Sequence, residues 1–300
     1  MAESLCRPEL IQFYNDTCAS RDVFQRILFA CVRLSTGLSI DRKLRMIQYI
    51  LDYCGCAHLE LKDSNTGMTV LHTVVKNSVF YPPRYSHEVA SLLLSKGADV
   101  HTRDIAGNGI LSAALHDTFF VRLLLQHAAP CVANFCGSTP FHQLTTTTPR
   151  ECVKSLFAHA KERDQTNGIR ETARASYLHQ VDNSGRSMLH TFAESLLEDK
   201  LQGNWCRGWQ AKKDYISWFI EVLRQHGFFK RRRRRKQGRM QYVVHRDNQN
   251  YSVMERMNET RSSKNHPSEI RDIDWFIHKM HEIVPEYTSE FGNVVSFHEF

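Results

Sequence analysis

The apolar positions of this chain fall into short groups with helical spacing, separated by polar turns that contain glycine. Val89, Ala90, Leu92, Leu93 and Leu94 form one group, closed by Gly97. Val121, Leu123, Leu124 and Leu125 form the next, and Val153, Leu156, Phe157 and Ala160 a third. Trp218, Phe219, Ile220, Val222 and Leu223, closed by Gly227, form a fourth. Each group predicts an amphipathic helix. Leu44–Tyr53 predicts an earlier helix, and Val23–Val32 one before that. Near the end, Ile273, Phe276, Ile277, Met280, Ile283 and Val284 recur at helical intervals and predict a helix over about 269–284. Gln241–His245 and Tyr251–Met254 flank Asp247-Asn248-Gln249-Asn250, a pattern that predicts a β-hairpin.

The polar turns recur as well. Asp63-Ser64-Asn65-Thr66-Gly67-Met68-Thr69-Val70-Leu71-His72 is followed by Asp104-Ile105-Ala106-Gly107-Asn108-Gly109-Ile110-Leu111. Two more copies are Asn134-Phe135-Cys136-Gly137-Ser138-Thr139-Pro140-Phe141-His142 and Asp182-Asn183-Ser184-Gly185-Arg186-Ser187-Met188-Leu189-His190. Glycine supplies a backbone conformation other residues resist, a Thr or Ser ahead of each helix caps its first amides, and Pro140 suits a first helical position. One such unit cannot bury its apolar face alone, so neighbours must stack.

Turn, T-P-L-H-like opening and L-L-x-x-G-A-like ending together resemble the ankyrin repeat. The ending is best preserved in Gly97-Ala98-Asp99-Val100-His101-Thr102-Arg103-Asp104. The resemblance covers about residues 20–229. It implies an all-α ankyrin-repeat solenoid of about five irregular repeats, with helix pairs joined by hairpin-like turns. Gly67, Gly97, Gly107, Gly137 and Gly185 would be its structural glycines, and His72, His142 and His190 its structural histidines, bridging neighbouring turns. Residues 1–19 are expected to be an N-terminal cap and 267–300 a C-terminal helix and tail that caps the stack or docks a partner. The stretch 237–266 is expected to be a polar linker or small hairpin.

Several departures from the family pattern are visible. The turn glycines Gly67, Gly107, Gly137 and Gly185 are 40, 30 and 48 residues apart, against a family period of about 33. Pro82-Pro83 predicts a loop between two helices. Thr148, Pro149 and Glu151 predict N-cap, first and third positions of a helix with a capping box. Arg163–Gly168 predicts a connector, Ile169–Leu178 an extra helix, and about 197–213, with Trp205 and Trp209, a long insert suited to partner contacts.

Charge is distributed unevenly. The 300 residues carry a formal charge of +7, which equals the contribution of one run, Lys230, Arg231, Arg232, Arg233, Arg234, Arg235 and Lys236. The remainder is neutral, so a basic face spread over the fold is not expected and nucleic-acid contact by the fold is disfavoured. The run itself fits a nuclear import signal read by an import receptor, a contact to a polyanion, or a solvated charge run. The longest apolar run, Ile27–Val32, is far shorter than the roughly 20 residues of a membrane span. The N-terminus lacks a basic-then-apolar leader, so nucleus or cytoplasm, rather than secretion, is the expected setting. Nine cysteines at irregular spacing fit reduced, mostly buried thiols.

Candidate chemistry is sparse. Cys54-Gly55-Cys56-Ala57-His58 lacks a second ligand pair, and His278 and His281 form only an i, i+3 pair, so no metal or other cofactor is expected. There is no G-x-S-x-G, G-x-x-x-x-G-K-[ST] or H-E-x-x-H motif, and enzymatic activity is not expected. The resemblance implies protein binding through turn tips and inner helices. The tip candidates are Ser64, Asn65, Ile105, Ala106, Phe135, Cys136, Asn183 and Ser184. Three roles remain open: a scaffold or inhibitor, a substrate-recruiting adaptor of a ubiquitin ligase, and, last, an enzyme without a recognisable motif.

Overall fold

A computed structural model describes residues 28–29, 32, 39–54, 59–169, 176–198, 209–229, 231–233, 240–242, 246–263 and 267–284. The N-terminal cap, most of the first inner helix, Gly55–His58, most of the predicted extra helix, Trp205, Lys230, Arg234–Lys236 and the final tail lie outside the described residues. The chain divides into two compact units, Met1–Phe135 and Cys136–Phe300.

In the first unit the helices are α1 (Ile40–Cys54), α2 (Val70–Asn77), α3 (Pro83–Ser95), α4 (Ile110–Ala114) and α5 (Thr118–Gln126). Inner helix α2 packs on inner helix α4, and outer helix α3 packs on outer helices α1 and α5. The sequence dictates this layering. Ser86, Val89, Ala90, Leu93 and Leu94 of α3 return every three or four residues and are all buried, as are Val70, Leu71, Val74 and Val75 of α2. The double proline acts differently from the loop expected there. Pro82 is the N-cap and Pro83 the first residue of α3, where a missing N–H costs nothing.

The second unit contains a 3-10 turn Pro140–Gln143, α6 (Arg150–Thr166), a 3-10 turn Tyr177–His179, α7 (Met188–Glu198) and α8 (Trp209–Gln225). Strands β1 (Arg231–Arg233) and β2 (Met240–Tyr242) follow, then α9 (Val253–Ser263) and α10 (Pro267–Ile283). Inner helix α7 packs on the Pro140–Gln143 turn and on α9, and outer helix α8 packs on α10. Aromatic rings fill the interior: Phe192 stacks on Phe219 at 4.1 Å, and Phe157 meets Phe141 and Tyr177 edge-on at 5.3 and 5.7 Å.

Four sequence expectations are replaced here. The helix expected after Thr139 is one 3-10 turn, because Thr145–Thr148 are poor helix formers and Pro149 disfavours helix at Thr148. No capping box forms at Thr148: Pro149 is the N-cap of α6, while the Thr148 hydroxyl accepts from the Thr145 amide and the Thr148 carbonyl from Tyr215 Oη at 2.6 Å. The Arg163–Gly168 connector is largely the last turn of α6, which runs to Thr166. Finally, the hairpin expected from Gln241–His245 and Tyr251–Met254 is replaced where residues are described; 243–245 lie outside them. Met240–Tyr242 pairs with Arg231–Arg233, and Val253 opens a helix that the periodicity did not mark.

Four outer helices, α3, α5, α6 and α8, end alike: the second residue past the helix adopts a left-handed backbone, and the next amide reaches back to a carbonyl five residues earlier. Gly97, Gly168 and Gly227 serve three of these ends, with bonds from Ala98 to Leu93 (3.0 Å), Ile169 to Asp164 (2.7 Å) and Phe228 to Leu223 (2.9 Å). At the end of α5 the position is held by Ala128 with φ 59°, and Ala129 donates to Leu124 at 2.9 Å.

A candidate recognition surface of turn tips

Three of the four turns marked by the sequence are each organised by one carboxylate, and the other begins with Asn134. Asp63 Oδ1 accepts from the amides of Asn65 and Thr66 at 3.1 and 3.0 Å, and Asp104 Oδ1 from those of Ala106 and Asn108 at 2.9 and 2.8 Å. Asp182 Oδ1 accepts from Ser184 and Arg186 at 2.9 and 2.8 Å. A short acceptor side chain can satisfy the amides of a tight turn without leaving it.

Consecutive tips are then joined by one main-chain bond. Within the first unit Ile105 N donates to Thr66 O at 3.0 Å, and Phe135 N to Ala106 O at 3.1 Å. Within the second, Asn183 N donates to Cys136 O at 2.9 Å. The turn glycines make this approach possible. A Cβ on Gly137 would lie 2.8 Å from the Asn183 amide, and its φ of 76° is strained for other residues.

The histidines expected to be structural occupy one setting. His72, His142 and His190 are buried, and their Nδ1 atoms lie 2.9, 2.8 and 2.9 Å from the hydroxyls of Thr69, Thr139 and Ser187. Nε2 of His142 reaches the carbonyl of Arg186 at 3.1 Å, and Nε2 of His190 that of Tyr251 at 3.3 Å. Burial holds His72 and His190 neutral and lowers each to about 4. Burial also lowers His142.

A further turn of the same design was not found by sequence reasoning. Asp247 Oδ1 accepts from the amides of Gln249 and Tyr251 at 3.0 and 2.9 Å, and Asn248 N donates to Ser184 O at 2.8 Å. Asn250, with φ 68°, stands where the other turns have glycine. Ser252 caps α9: the Glu255 amide donates to its hydroxyl, and the Ser252 amide donates back to Glu255 Oε2 at 2.7 Å. Glu255 thus replaces the histidine of the earlier turns. Burial opposes its ionisation, but the Ser252 bonds and Arg246 outweigh that and hold its pKa below the ordinary glutamate value. With α9 inner and α10 outer, residues 246–284 have the form of one more repeat. The legible signals were Ser252-x-x-Glu255 and an asparagine suited to a left-handed backbone.

All eight predicted tip residues, Ser64, Asn65, Ile105, Ala106, Phe135, Cys136, Asn183 and Ser184, are exposed. Ile105 and Phe135 are 66% and 70% exposed, which is unusual for large apolar side chains. The Phe135 ring lies over Gly107, where an added Cβ would come within about 3 Å of it. The α2–α3 corner is apolar as well, with Val79 and Phe80 exposed. In the second unit the tips border an open hollow of about 490 Å³ lined by Arg186, Glu194, Asp247, Asn248 and Arg256. Its charges are mutually engaged. Arg186 pairs with Asp182 and Glu194 at 2.8 Å each, and Arg256 pairs with Asp247 and with Glu259. Burial raises Glu194 despite Arg186.

Two other candidates resolve simply. His278 is exposed on α10, and His281 is lowered first by burial and then by His278. Among the described residues no three His, Cys, Asp or Glu side chains converge as metal ligands, and no helix is long and apolar enough to cross a membrane.

The recurrent carboxylate turn, main-chain rung and inner–outer helix pair define the fold class: all-α, built from ankyrin-type repeats. No family model matches the sequence, and no curated protein matches it. Among solved structures, the chain is similar to the crystal structure of an ankyrin repeat domain from Acinetobacter baumannii. The two share 14% identity over 84% of this chain and 96% of that one, with a TM-score of 0.49.

Proposed function

We propose that this chain is a non-catalytic protein-recognition module, acting as a scaffold or inhibitor that holds a protein partner on its turn tips. Stacked repeats of this kind present extended binding surfaces. The observation that carries the reading is the pair of adjacent exposed apolar tips, Ile105 and Phe135, on rungs whose backbone is already satisfied. Large apolar and aromatic side chains on a rigid support are typical anchors at interfaces.

The adaptor reading has less support. Ile273, Phe276, Ile277 and Met280 of α10 are buried, and the helix packs on α7, α8 and α9, so its apolar side is already covered. The test is affinity capture with the full chain and with the Ile105→Asp/Phe135→Asp variant. The variant should unfold at the wild-type temperature and lose the partner protein that the wild type retains. An identical set of retained proteins from both would reject the tips as the recognition surface.

A further inference from the structure

The connectors between outer helix and next turn differ in length. Gly97 precedes Asp104 by seven positions, whereas Gly227 precedes Asp247 by twenty. The longer connector carries the β1–β2 ribbon, in which Arg231 lies opposite Tyr242, Arg232 opposite Gln241 and Arg233 opposite Met240. The basic run therefore falls between α8 and the turn at Asp247, and its residues Arg231–Arg233 are paired with Met240–Tyr242. Residues 230–242 hold eight basic residues and no acidic one.

A strand rises about 3.3 Å per residue and lies about 4.8 Å from its neighbour, so the three strand arginines span about 7 Å along a narrow ribbon.

We infer that this ribbon is a contact for duplex DNA, made through the phosphate backbone and separate from the turn-tip surface. A two-stranded β-ribbon is one of the few elements that fit the major groove of B-form DNA, which is about 12 Å wide. The duplex presents one negative charge per about 1.7 Å of axis, so a compact arginine ribbon meets several phosphates at once. Guanidinium groups suit phosphate because they donate in a planar fork. With the rest of the chain neutral, the contact is local and independent of base sequence.

The experiment is a salt titration of full-chain binding to a short mixed-sequence DNA duplex. Wild type should show an affinity that falls steeply with salt. Changing Arg231, Arg232 and Arg233 together to Gln should reduce the log–log slope by about 3 and weaken binding at least about tenfold at 0.1 M salt. Changing the same three to Lys should retain the slope. An unchanged melting temperature in both variants excludes an effect through folding. A wild-type slope smaller than about 2, or a Gln variant with the wild-type slope, overturns the proposal. So does tighter binding to phosphatidylserine vesicles than to the duplex. Nuclear accumulation of a fluorescent fusion that needs the run, with no duplex binding by the purified chain, would assign the run to an import receptor instead.

Discussion

The turns at Asp182–Ser187 and Asp247–Ser252 are built alike from different residues. Both place a buried aspartate across two amides, and both engage an arginine with that carboxylate, Arg186 in one and Arg256 in the other. Both put a left-handed residue third after the aspartate, Gly185 with φ 76° and Asn250 with φ 68°. Both cap the next inner helix with a serine answered three residues on, by His190 Nδ1 in one and the Glu255 carboxylate in the other. The repeat therefore conserves positions of acceptor, donor and backbone shape while the residue types vary. Charge is where the two turns differ: His190 is neutral at its position, and Glu255 is an ionised carboxylate.

If the two turns are equivalent, their aspartates should matter equally. Asp182→Ala and Asp247→Ala each strand two turn amides and an arginine, and each should cost about 3 kcal/mol in denaturant titrations. A cost near zero for Asp247→Ala, with a large one for Asp182→Ala, would break the comparison.

Acid should separate the turns. The folded value of His190, about 4, lies below the ordinary value of 6.5, so the unfolded chain binds the proton first as pH falls. Stability contributed by neutral His190 is present above 6.5 and is lost as pH falls toward 4, by about 2 kcal/mol between pH 7 and pH 5. His72 should behave alike in the first unit. Glu255 is held low, so its contribution is present above the ordinary glutamate value of 4.5 and is lost only below it. His190→Gln should therefore reduce the stability loss between pH 7 and pH 5 by about 2 kcal/mol, and Glu255→Gln should leave that loss unchanged.

The smallest effect concerns residues in left-handed backbone. Asn tolerates that shape, but Ala128 at the end of α5 does not. Ala128→Gly should stabilise the chain by about 0.5–1 kcal/mol, because the relief of strain exceeds the added freedom of the unfolded chain. A lower melting temperature in this variant would contradict that reading.

Most of the stack was legible in the sequence, for identifiable reasons. Helical periodicity marked the outer helices because their apolar faces are wide, as in Val89, Ala90, Leu93 and Leu94. Glycine and histidine marked four turns and their caps. The helix Val253–Ser263 escaped because only Val253, Met254 and Met257 are buried and the rest of it is polar. Its turn escaped because Asn250 and Glu255 replaced the expected glycine and histidine. The eight named tip residues are exposed, whereas Asn248 and Gln249, read as part of a hairpin, were not named among the tips. The basic run was visible, but its antiparallel pairing with Met240–Tyr242 was not, since three-residue strands leave almost no periodic signal.

The most direct test of the central claim, that the column of tips continues through Asp247–Asn250, is hydrogen exchange at the Asn248 amide. This amide donates to Ser184 O at 2.8 Å, as Asn183 donates to Cys136 O at 2.9 Å. Gly185→Ala would set a Cβ about 2.9 Å from the Asn248 amide at a φ of 76°, forcing that rung apart. The account predicts that Asn248 is protected to the same degree as Asn183 in the wild type and loses its protection in Gly185→Ala. Exchange at Asn248 as fast as in an unfolded peptide, with Asn183 still protected in the same molecule, would contradict it.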